Sequence, residues 1–519
     1  MSNNVILFTG TTHDIYWYNR PAGAYKVVSH LRKNKFDGQV IPNCTALTRY
    51  GYEQVFRKYG SESLLWFGFT SNWLAGIKSD DYYDEWWNSK RLTIDEKIEG
   101  WFFTETDDRE KVYSCTYSTK MLDEIWSMAM KFNPDVKMVM GGSQLNRNEY
   151  FHPKDVHLHA TYVKLNGEVP ALELTRRFAK GNFKTEKLPS NNDYDYGEFK
   201  KSFISYKETD YIEPKEWLSI EVARGCAFKC AFCNYDMKGV TNNYIDAKYL
   251  RKKIIEHHKK WGTTKFVIMD DLYNDNHKKV KDLYENCWSK LPFKPELAGY
   301  LRLDLLWKKP EMAKMLYDSG FRAGSFGIET LHDQAGKAVG KGLGKKRIIE
   351  TLEMLKEVWG KDVLIHGFFI AGLPHETKES LMETVKWLKE TDLIHAVIWH
   401  WLELENIHKI KDNVDKLSIL GENPIKYGYQ FYNDNEWVNN AGVTLADCKD
   451  INRIGNHTKM NTYFTMYADM RALGWSHKEI VDTSLHPNFA GKLGYRKFFE
   501  WQNSVKKLEA VKRLIKIIT

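Results

Sequence analysis

The chain has 519 residues, 43% hydrophobic and 28% charged, which indicates a globular protein of two or three domains. Its net charge of +8 is a mild excess spread over a large surface and does not indicate a nucleic-acid partner. The first residues lack the basic segment of a signal peptide, and no run reaches the ~18 apolar residues of a membrane span. Seven cysteines, three of them clustered, are not a disulfide framework, so we expect a reducing, cytoplasmic location.

The first 175 residues alternate short apolar runs with amphipathic stretches, the pattern of an α/β sheet domain. The predicted strands are Val5–Thr9, Gln39–Ile41, Leu64–Phe69, Lys137–Met140 and Val156–Ala160. The predicted helices are Ala24–Lys33, Tyr52–Lys58 and Lys120–Lys131. Small residues such as Gly141 and Gly142 follow several strands, and ligands of open α/β sheets bind outside the carboxyl ends of strands. Residues 76–113 have no clear period and resemble an insertion, whereas residues 176–214 are polar and predict a surface linker.

A regular alternation of strands and helices begins at Trp217. The predicted strands are Ser219–Ala223, Lys265–Met269, Ala298–Leu303, Ala323–Ile328, Val363–Ile370 and His395–Trp401. The predicted helices are Lys248–Lys260, His277–Ser289, Pro310–Ser319, Lys346–Val358 and Lys378–Glu390. Six such units predict a partial (β/α)6 barrel over residues 215–405. Residues 406–519 predict a mostly helical C-terminal domain, whose last amphipathic helix, Ser504–Ile518, we expect to pack on the barrel.

The most informative motif is Cys226, Cys230 and Cys233, spaced C-x3-C-x2-C directly after the first barrel strand. Thiolates are the ligands of iron–sulfur clusters, and three of them leave one iron of a four-iron cluster open to an outside ligand. A zinc site would need a second pair of ligands. The remaining cysteines stand apart from one another, at Cys44, Cys115, Cys287 and Cys448. The loop therefore predicts a cluster at the carboxyl-end mouth of the barrel, where barrel active sites lie.

Polar residues end the next three barrel strands. Asp270 and Asp271 offer oxygens to an ammonium group, or form an Asx turn before the next helix. Arg302 is suited to bind a carboxylate through two hydrogen bonds, or to pair with Asp304. Glu329 is suited to accept hydrogen bonds from both hydroxyls of a ribose.

The sixth strand ends near His400, which alternation places on the same face as Leu402. If that face lines the barrel, His400 is suited to orient a substrate or to take a proton near neutral pH. The alternative is that His400 ends the strand and contacts solvent. The sequence leaves both interpretations open.

The cysteine run, with Phe232 before its last cysteine, resembles the signature of the radical S-adenosylmethionine (radical SAM) superfamily. The resemblance implies a 4Fe–4S cluster that binds SAM and, after receiving an electron, cleaves it to methionine and a 5′-deoxyadenosyl radical. A reductant such as flavodoxin or ferredoxin is implied as a partner. Further matching runs are the Asp-Asp-aromatic run after strand two, Gly-Ile-Glu at Glu329, and Gly367-Phe-Phe-Ile370-Ala-Gly372-Leu-Pro, which is implied to flank adenine. Phe369 replaces the family's usual aliphatic residue in that last run.

The domain order and Gly141-Gly142 resemble the subgroup with an N-terminal Rossmann-like, cobalamin-binding-type domain. The subgroup's D-x-H-x-x-G motif is absent after the first strand, although members often lack its histidine. His157 and His159 imitate the spacing but lie too late in the chain, so corrinoid binding stays open. The expected activity is cobalamin-dependent methylation of an unactivated carbon. The alternatives are a cobalamin-independent radical rearrangement, cyclisation or oxidation, and, in another class, an inactive binding module. The sequence does not indicate the substrate.

Overall fold

The computed structural model describes two compact units. The described residues are 3–10, 19–70, 87–88, 90, 92–93, 119–142, 160–164, 166–185, 199–235, 238–239, 243–404, 418–433, 436–461, 464–485, 505 and 508–519. One unit comprises residues 1–198, 202–213 and 500–519, and the other comprises residues 199–201 and 214–499. Across these ranges, no helix is both long enough and apolar enough to cross a membrane. Most of the predicted insertion at 76–113, and both His157 and His159, lie outside the described residues.

The N-terminal unit is built on a five-stranded parallel sheet in the order β2-β1-β3-β4-β5. Its elements are β1 Val5–Phe8, α1 Ala22–Lys33, β2 Gly38–Ile41, α2 Arg49–Tyr59, β3 Trp66–Thr70, α3 Thr119–Met130, β4 Lys137–Gly142, β5 Ala160–Lys164 and α4 Glu168–Phe178. This is the strand order of doubly wound flavodoxin-like folds, so the predicted Rossmann-like class is confirmed. The fifth strand lies later than predicted, and α4 runs into the stretch expected to be a linker.

The end of the chain completes the core of this unit. Residues 508–518 form a helix, and Leu514, Ile517 and Ile518 are buried in the same cluster as Phe8. The Tyr59 hydroxyl donates to the Ile517 carbonyl at 2.6 Å. The expectation that this helix packs on the barrel was therefore wrong. Its apolar stripe identifies a buried face but carries no information about which unit buries it.

The second unit contains a six-stranded parallel sheet in the order β13-β12-β11-β10-β9-β6. Its elements are β6 Trp217–Ile220, β7 Ala223–Arg224, β8 Asn243–Tyr244, α5 Ala247–Trp261, β9 Lys265–Ile268, α6 His277–Asn286, β10 Glu296–Leu301, α7 Leu303–Lys308, α8 Glu311–Ser319, β11 Phe321–Glu329, α9 Asp333–Ala338, α10 Lys345–Trp359, β12 Leu364–Ala371, α11 Lys378–Glu390 and β13 Ala396–Trp401. Neighbouring strands are parallel throughout. The predicted partial barrel is confirmed, and all six carboxyl ends lie at one edge.

The C-terminal elements belong to the barrel unit rather than to a separate domain, unlike the expected division at residue 406. They are α12 Ile419–Glu422, β14 Gln430–Phe431, β15 Trp437–Val438, α13 Leu445–Gly455, α14 Phe464–Ala472 and α15 His477–Leu485. Helix α14 packs on the first residues of two strands. The Tyr467 ring lies 5.6 Å from that of Trp217, and Arg471 pairs with Glu296 at 2.9 Å. Its later residues therefore lie at the amino ends of these strands, whereas its first residue, Phe464, contacts the ring of Tyr300 near the carboxyl end of β10 at 4.7 Å.

Candidate active site

The cysteine loop lies between the two short antiparallel strands β7 and β8. Gly225 begins it with φ 95°, a conformation that favours glycine. The Gly239 amide donates to the carbonyls of Cys226 and Phe228 at 2.7 and 3.0 Å, which folds the loop back on itself. Cys230 is buried, and Cys226 and Cys233 are half-buried. All three thiols are thus held within one compact loop.

The surroundings of the thiols fit a cluster. Arg302 Nη1 donates to the Cys230 sulfur, and the Tyr235 amide donates to the Cys233 sulfur, both at 3.4 Å. Burial raises the pKa of the Cys226 and Cys233 thiols, and the charge of Arg302 at Cys226 and the Tyr235 amide at Cys233 oppose that shift. In the described part of the chain, no group of three cysteine, histidine or acidic side chains converges as a single metal ion requires. A four-iron cluster presents a separate iron to each thiolate, so three thiols in one loop are a donor set that fits such a cluster.

The two aspartates of the second strand end have different surroundings. Asp270 is buried, and its Oδ1 accepts the Val222 amide at 2.7 Å. This hydrogen bond holds the strand that precedes the cysteine loop. Burial raises the Asp270 pKa to about 7. Asp271 has solvent-accessible surface but is surrounded by protein, and this desolvation raises its pKa to about 6. It accepts a hydrogen bond from the Tyr235 side chain. Of the two, Asp271 is the one left accessible to a ligand.

Arg302 pairs with Asp304, one of the two alternatives that the sequence leaves open. Its Nε and Nη2 donate to the two carboxylate oxygens of Asp304, each at 2.8 Å. The guanidinium lies 3.8 Å from the centre of the Phe228 ring. The backbone of Arg302 is held by Asn274, whose amide side chain bonds its N–H and C=O at 2.8 and 3.0 Å. The edge of the guanidinium that was suited to bind a ligand carboxylate is therefore occupied by Asp304.

Glu329 ends β11 at the mouth of the barrel. Its φ of 69° is left-handed, an uncommon and strained conformation for a residue with a side chain. Lys341 Nζ lies 3.3 Å from its Oε1 and donates to the Gly327 carbonyl at 2.8 Å. The same ammonium group lies 5.9 Å from the centre of the Phe232 ring. Lys341 therefore orients Glu329 and also lies close to the cysteine loop, at Phe232.

The three residues of the fifth strand that are implied to flank adenine, Gly367, Ile370 and Gly372, have different surroundings. A Cβ atom on Gly367 would lie 2.8 Å from the Phe369 ring, so this glycine makes room within the buried face of the strand. Gly372 has φ 97°, and a Cβ there would lie 2.5 and 2.6 Å from Trp437 and Cys448. Both glycines are therefore required by packing within the protein. Ile370 is half-buried, alternates with that face, and is in register with His400.

His400 lies on the strand face shared with Ile370 and is solvent-accessible. Desolvation by the surrounding protein lowers its pKa, and Glu329 and Glu403 oppose that shift. The influence of Glu329 places His400 near the mouth. Its neutral form is therefore favoured near neutral pH.

Several residues of the site escaped the sequence reasoning. Glu376 accepts the amides of Gly372 and Leu373 at 3.0 and 2.9 Å and the Thr330 hydroxyl at 2.6 Å, which ties the fifth strand end to the fourth. Tyr235 and Lys341 were missed because their partners, Asp271 and Glu329, are distant in sequence. Of these three residues, only Glu376 could have been predicted from the sequence, because it follows the Gly372-Leu-Pro run by two residues.

Three thiols at the mouth of a parallel partial barrel have the arrangement that a barrel site for an iron–sulfur cluster requires. Residues 220–388 match the family model described as the Radical SAM superfamily. This segment of the chain is therefore similar to a radical SAM domain, in agreement with the resemblance of the motifs.

Related proteins cover different parts of the chain. An uncharacterized methyltransferase of Pyrococcus horikoshii is 26% identical over 34% of this chain and 38% of its own length. The anaerobic magnesium-protoporphyrin IX monomethyl ester cyclase of Cereibacter sphaeroides is 24% identical over 58% of this chain and 52% of its own. The chain thus spans about two fifths and about half of these two relatives.

A solved structure resembles the fold. The radical SAM methyltransferase TsrM from Kitasatospora setae, with cobalamin and a [4Fe-4S] cluster bound, superposes with a TM-score of 0.51 at 14% identity. The match covers 78% of this chain and 73% of TsrM. At this identity the likeness concerns the fold.

Proposed function

We propose that the protein is a radical SAM enzyme that methylates an unactivated carbon with cobalamin as methyl carrier. The observation that carries the proposal is the loop of Cys226, Cys230 and Cys233 at the carboxyl end of the first barrel strand. When bound there, a 4Fe–4S cluster and SAM supply a 5′-deoxyadenosyl radical. The methyltransferase relative and the fold of TsrM support methylation as the outcome.

The chain's own residues bind and orient the cofactor in this proposal. The three cysteines hold the cluster, and Asp271 accepts the ammonium group of SAM because Asp270 is already bound to the backbone. Glu329, oriented by Lys341, accepts the ribose hydroxyls. Ile370 and the backbone near Gly367 and Gly372 flank adenine, and Phe232 packs beside the cluster.

We propose that cobalamin binds to the N-terminal unit. In the order β2-β1-β3 the strand connections reverse direction beside β1, where doubly wound folds bind ligands. The hydroxyls of Thr9 and Thr70 meet at 2.9 Å at the carboxyl ends of β1 and β3. Gly142, with φ 126°, ends β4 at the same edge. A small-residue edge of this kind lets a bulky planar ligand approach the backbone.

A second function is cobalamin-independent cyclisation or oxidation by the same radical. The cyclase relative favours cyclisation as the outcome, since it matches more of the chain than the methyltransferase relative does. An inactive binding module is disfavoured by the intact cysteine set. We further propose a cytoplasmic location with a flavodoxin- or ferredoxin-type reductant, because the cluster needs reducing surroundings and a low-potential electron.

The proposed function predicts the cofactors of the purified protein. Protein purified without oxygen from cells supplied with a corrinoid, and reconstituted with iron and sulfide, should hold about four irons. It should also hold a corrinoid and form 5′-deoxyadenosine from SAM and a reductant. The triple variant Cys226→Ala, Cys230→Ala, Cys233→Ala should lose the irons and the nucleoside but keep the corrinoid. Deoxyadenosine without any corrinoid would instead favour the second function.

Glu329→Ala should weaken SAM binding by ~1.5–3 kcal/mol, the scale of a lost charge-assisted hydrogen bond. Calorimetry on reconstituted protein measures this. Glu436→Ala, on an exposed turn of the same unit, is the control and should bind SAM as the parent does. Equal affinity in the Glu329 and control variants would assign Glu329 a structural role.

His400→Ala should uncouple the reaction, since we propose that His400 contacts substrate rather than SAM. Formation of 5′-deoxyadenosine from SAM should persist while substrate conversion falls. Both are measured in one assay by chromatography and mass spectrometry. If His400→Ala loses both 5′-deoxyadenosine formation and substrate conversion, or loses neither, His400 is not a residue of the substrate pocket.

A further inference from the structure

We propose that Arg302 sets the reduction potential of the cluster through its hydrogen bond to Cys230. The inference rests on the proposed function and assigns Arg302 as a positioning residue for the cluster rather than as a ligand of SAM. Its Nη1 donates to the Cys230 sulfur at 3.4 Å. Cys230 is the most buried of the three cluster cysteines, so solvent screens this contact least.

The guanidinium is held from several sides. Asp304 accepts two hydrogen bonds at 2.8 Å, Phe228 stacks at 3.8 Å, and Asn274 fixes the backbone with two more bonds. Arg302 is only 6% exposed. A donor so restrained keeps its direction when the charge on the sulfur changes, which is the condition for a fixed electrostatic effect.

The sign of the effect follows from charge. Reduction of a cluster adds a negative charge that spreads onto its sulfur ligands, and hydrogen bonds to those sulfurs tune the potential. A cationic donor at Cys230 stabilises the reduced form and raises the potential. The Asp304 carboxylate binds the opposite edge of the guanidinium and offsets part of its charge. The step affected is uptake of one electron from a low-potential one-electron donor, and no bond forms or breaks in it.

Two substitutions should therefore shift the potential in opposite directions. Arg302→Gln removes the cation and should shift the midpoint potential to more negative values. Asp304→Asn removes the offsetting anion and should shift it to less negative values. A merely structural role would move both variants the same way, because both substitutions break the same ion pair.

The experiment is a redox titration of reconstituted, SAM-free protein followed by electron paramagnetic resonance, with iron content and SAM affinity measured on the same samples. Arg322→Gln is the matched control, since Arg322 bonds backbone carbonyls near the start of β11. The parent and the Arg322→Gln control should have the same midpoint potential. The potential of Arg302→Gln should be more negative, and that of Asp304→Asn less negative. Arg302→Lys, which keeps the charge without the planar fork, should lie between the parent and Arg302→Gln.

Shifts of the same sign in the Arg302 and Asp304 variants would overturn the proposal. An unchanged potential in Arg302→Gln with much weaker SAM binding would also overturn it and restore Arg302 as a carboxylate ligand. If Arg302→Gln binds too little iron to titrate, absence of the shift in Asp304→Asn overturns the proposal by itself. A parent protein that binds no cluster would contradict the proposed function as well, and its iron content identifies that outcome.

Discussion

The hydrogen bond from the Val222 amide to the buried Asp270 carboxylate joins the first barrel strand to the second, immediately before the cysteine loop. Parallel pairing brings all strand ends to one edge, but it does not hold the segments that follow them. Asn274 continues the series by bonding both backbone groups of Arg302. Glu376 ties the fifth strand end to the fourth. Buried polar side chains thus join the first strand end to the second, the second to the third, and the fourth to the fifth.

These hydrogen bonds also divide the polar residues of the mouth into two groups. Asp270 and Asn274 bond backbone groups, and Asp304 bonds Arg302, so these three side chains hold other groups in place. Asp271 is solvent-accessible, whereas Glu329 is buried and pairs with Lys341. Since groups fixed in advance need no reordering when a ligand binds, this division favours a preorganised cofactor site. The same division leaves the Nη1 group of Arg302 facing a cysteine.

The sequence predicts the six barrel strands to within a few residues, because each is a short apolar run between polar turns, and periodicity is a local property. It also predicts the cysteine loop, whose spacing is local. It does not show that Asp270 contacts Val222, or that Cys230 lies beside Arg302, because those contacts join distant segments. The last helix illustrates the same limit: Leu514 marks a buried face, but only tertiary packing shows that the N-terminal unit buries it.

The central claim is that Cys226, Cys230 and Cys233 hold a cluster whose fourth iron binds SAM. The most direct measurement is electron–nuclear double resonance on the reduced, reconstituted protein with SAM that carries a nitrogen isotope label in its amino group. A hyperfine coupling between the cluster spin and the labelled nitrogen is expected if the open iron of the cluster binds that amino group. A protein with about four irons and bound SAM but no such coupling would contradict the account.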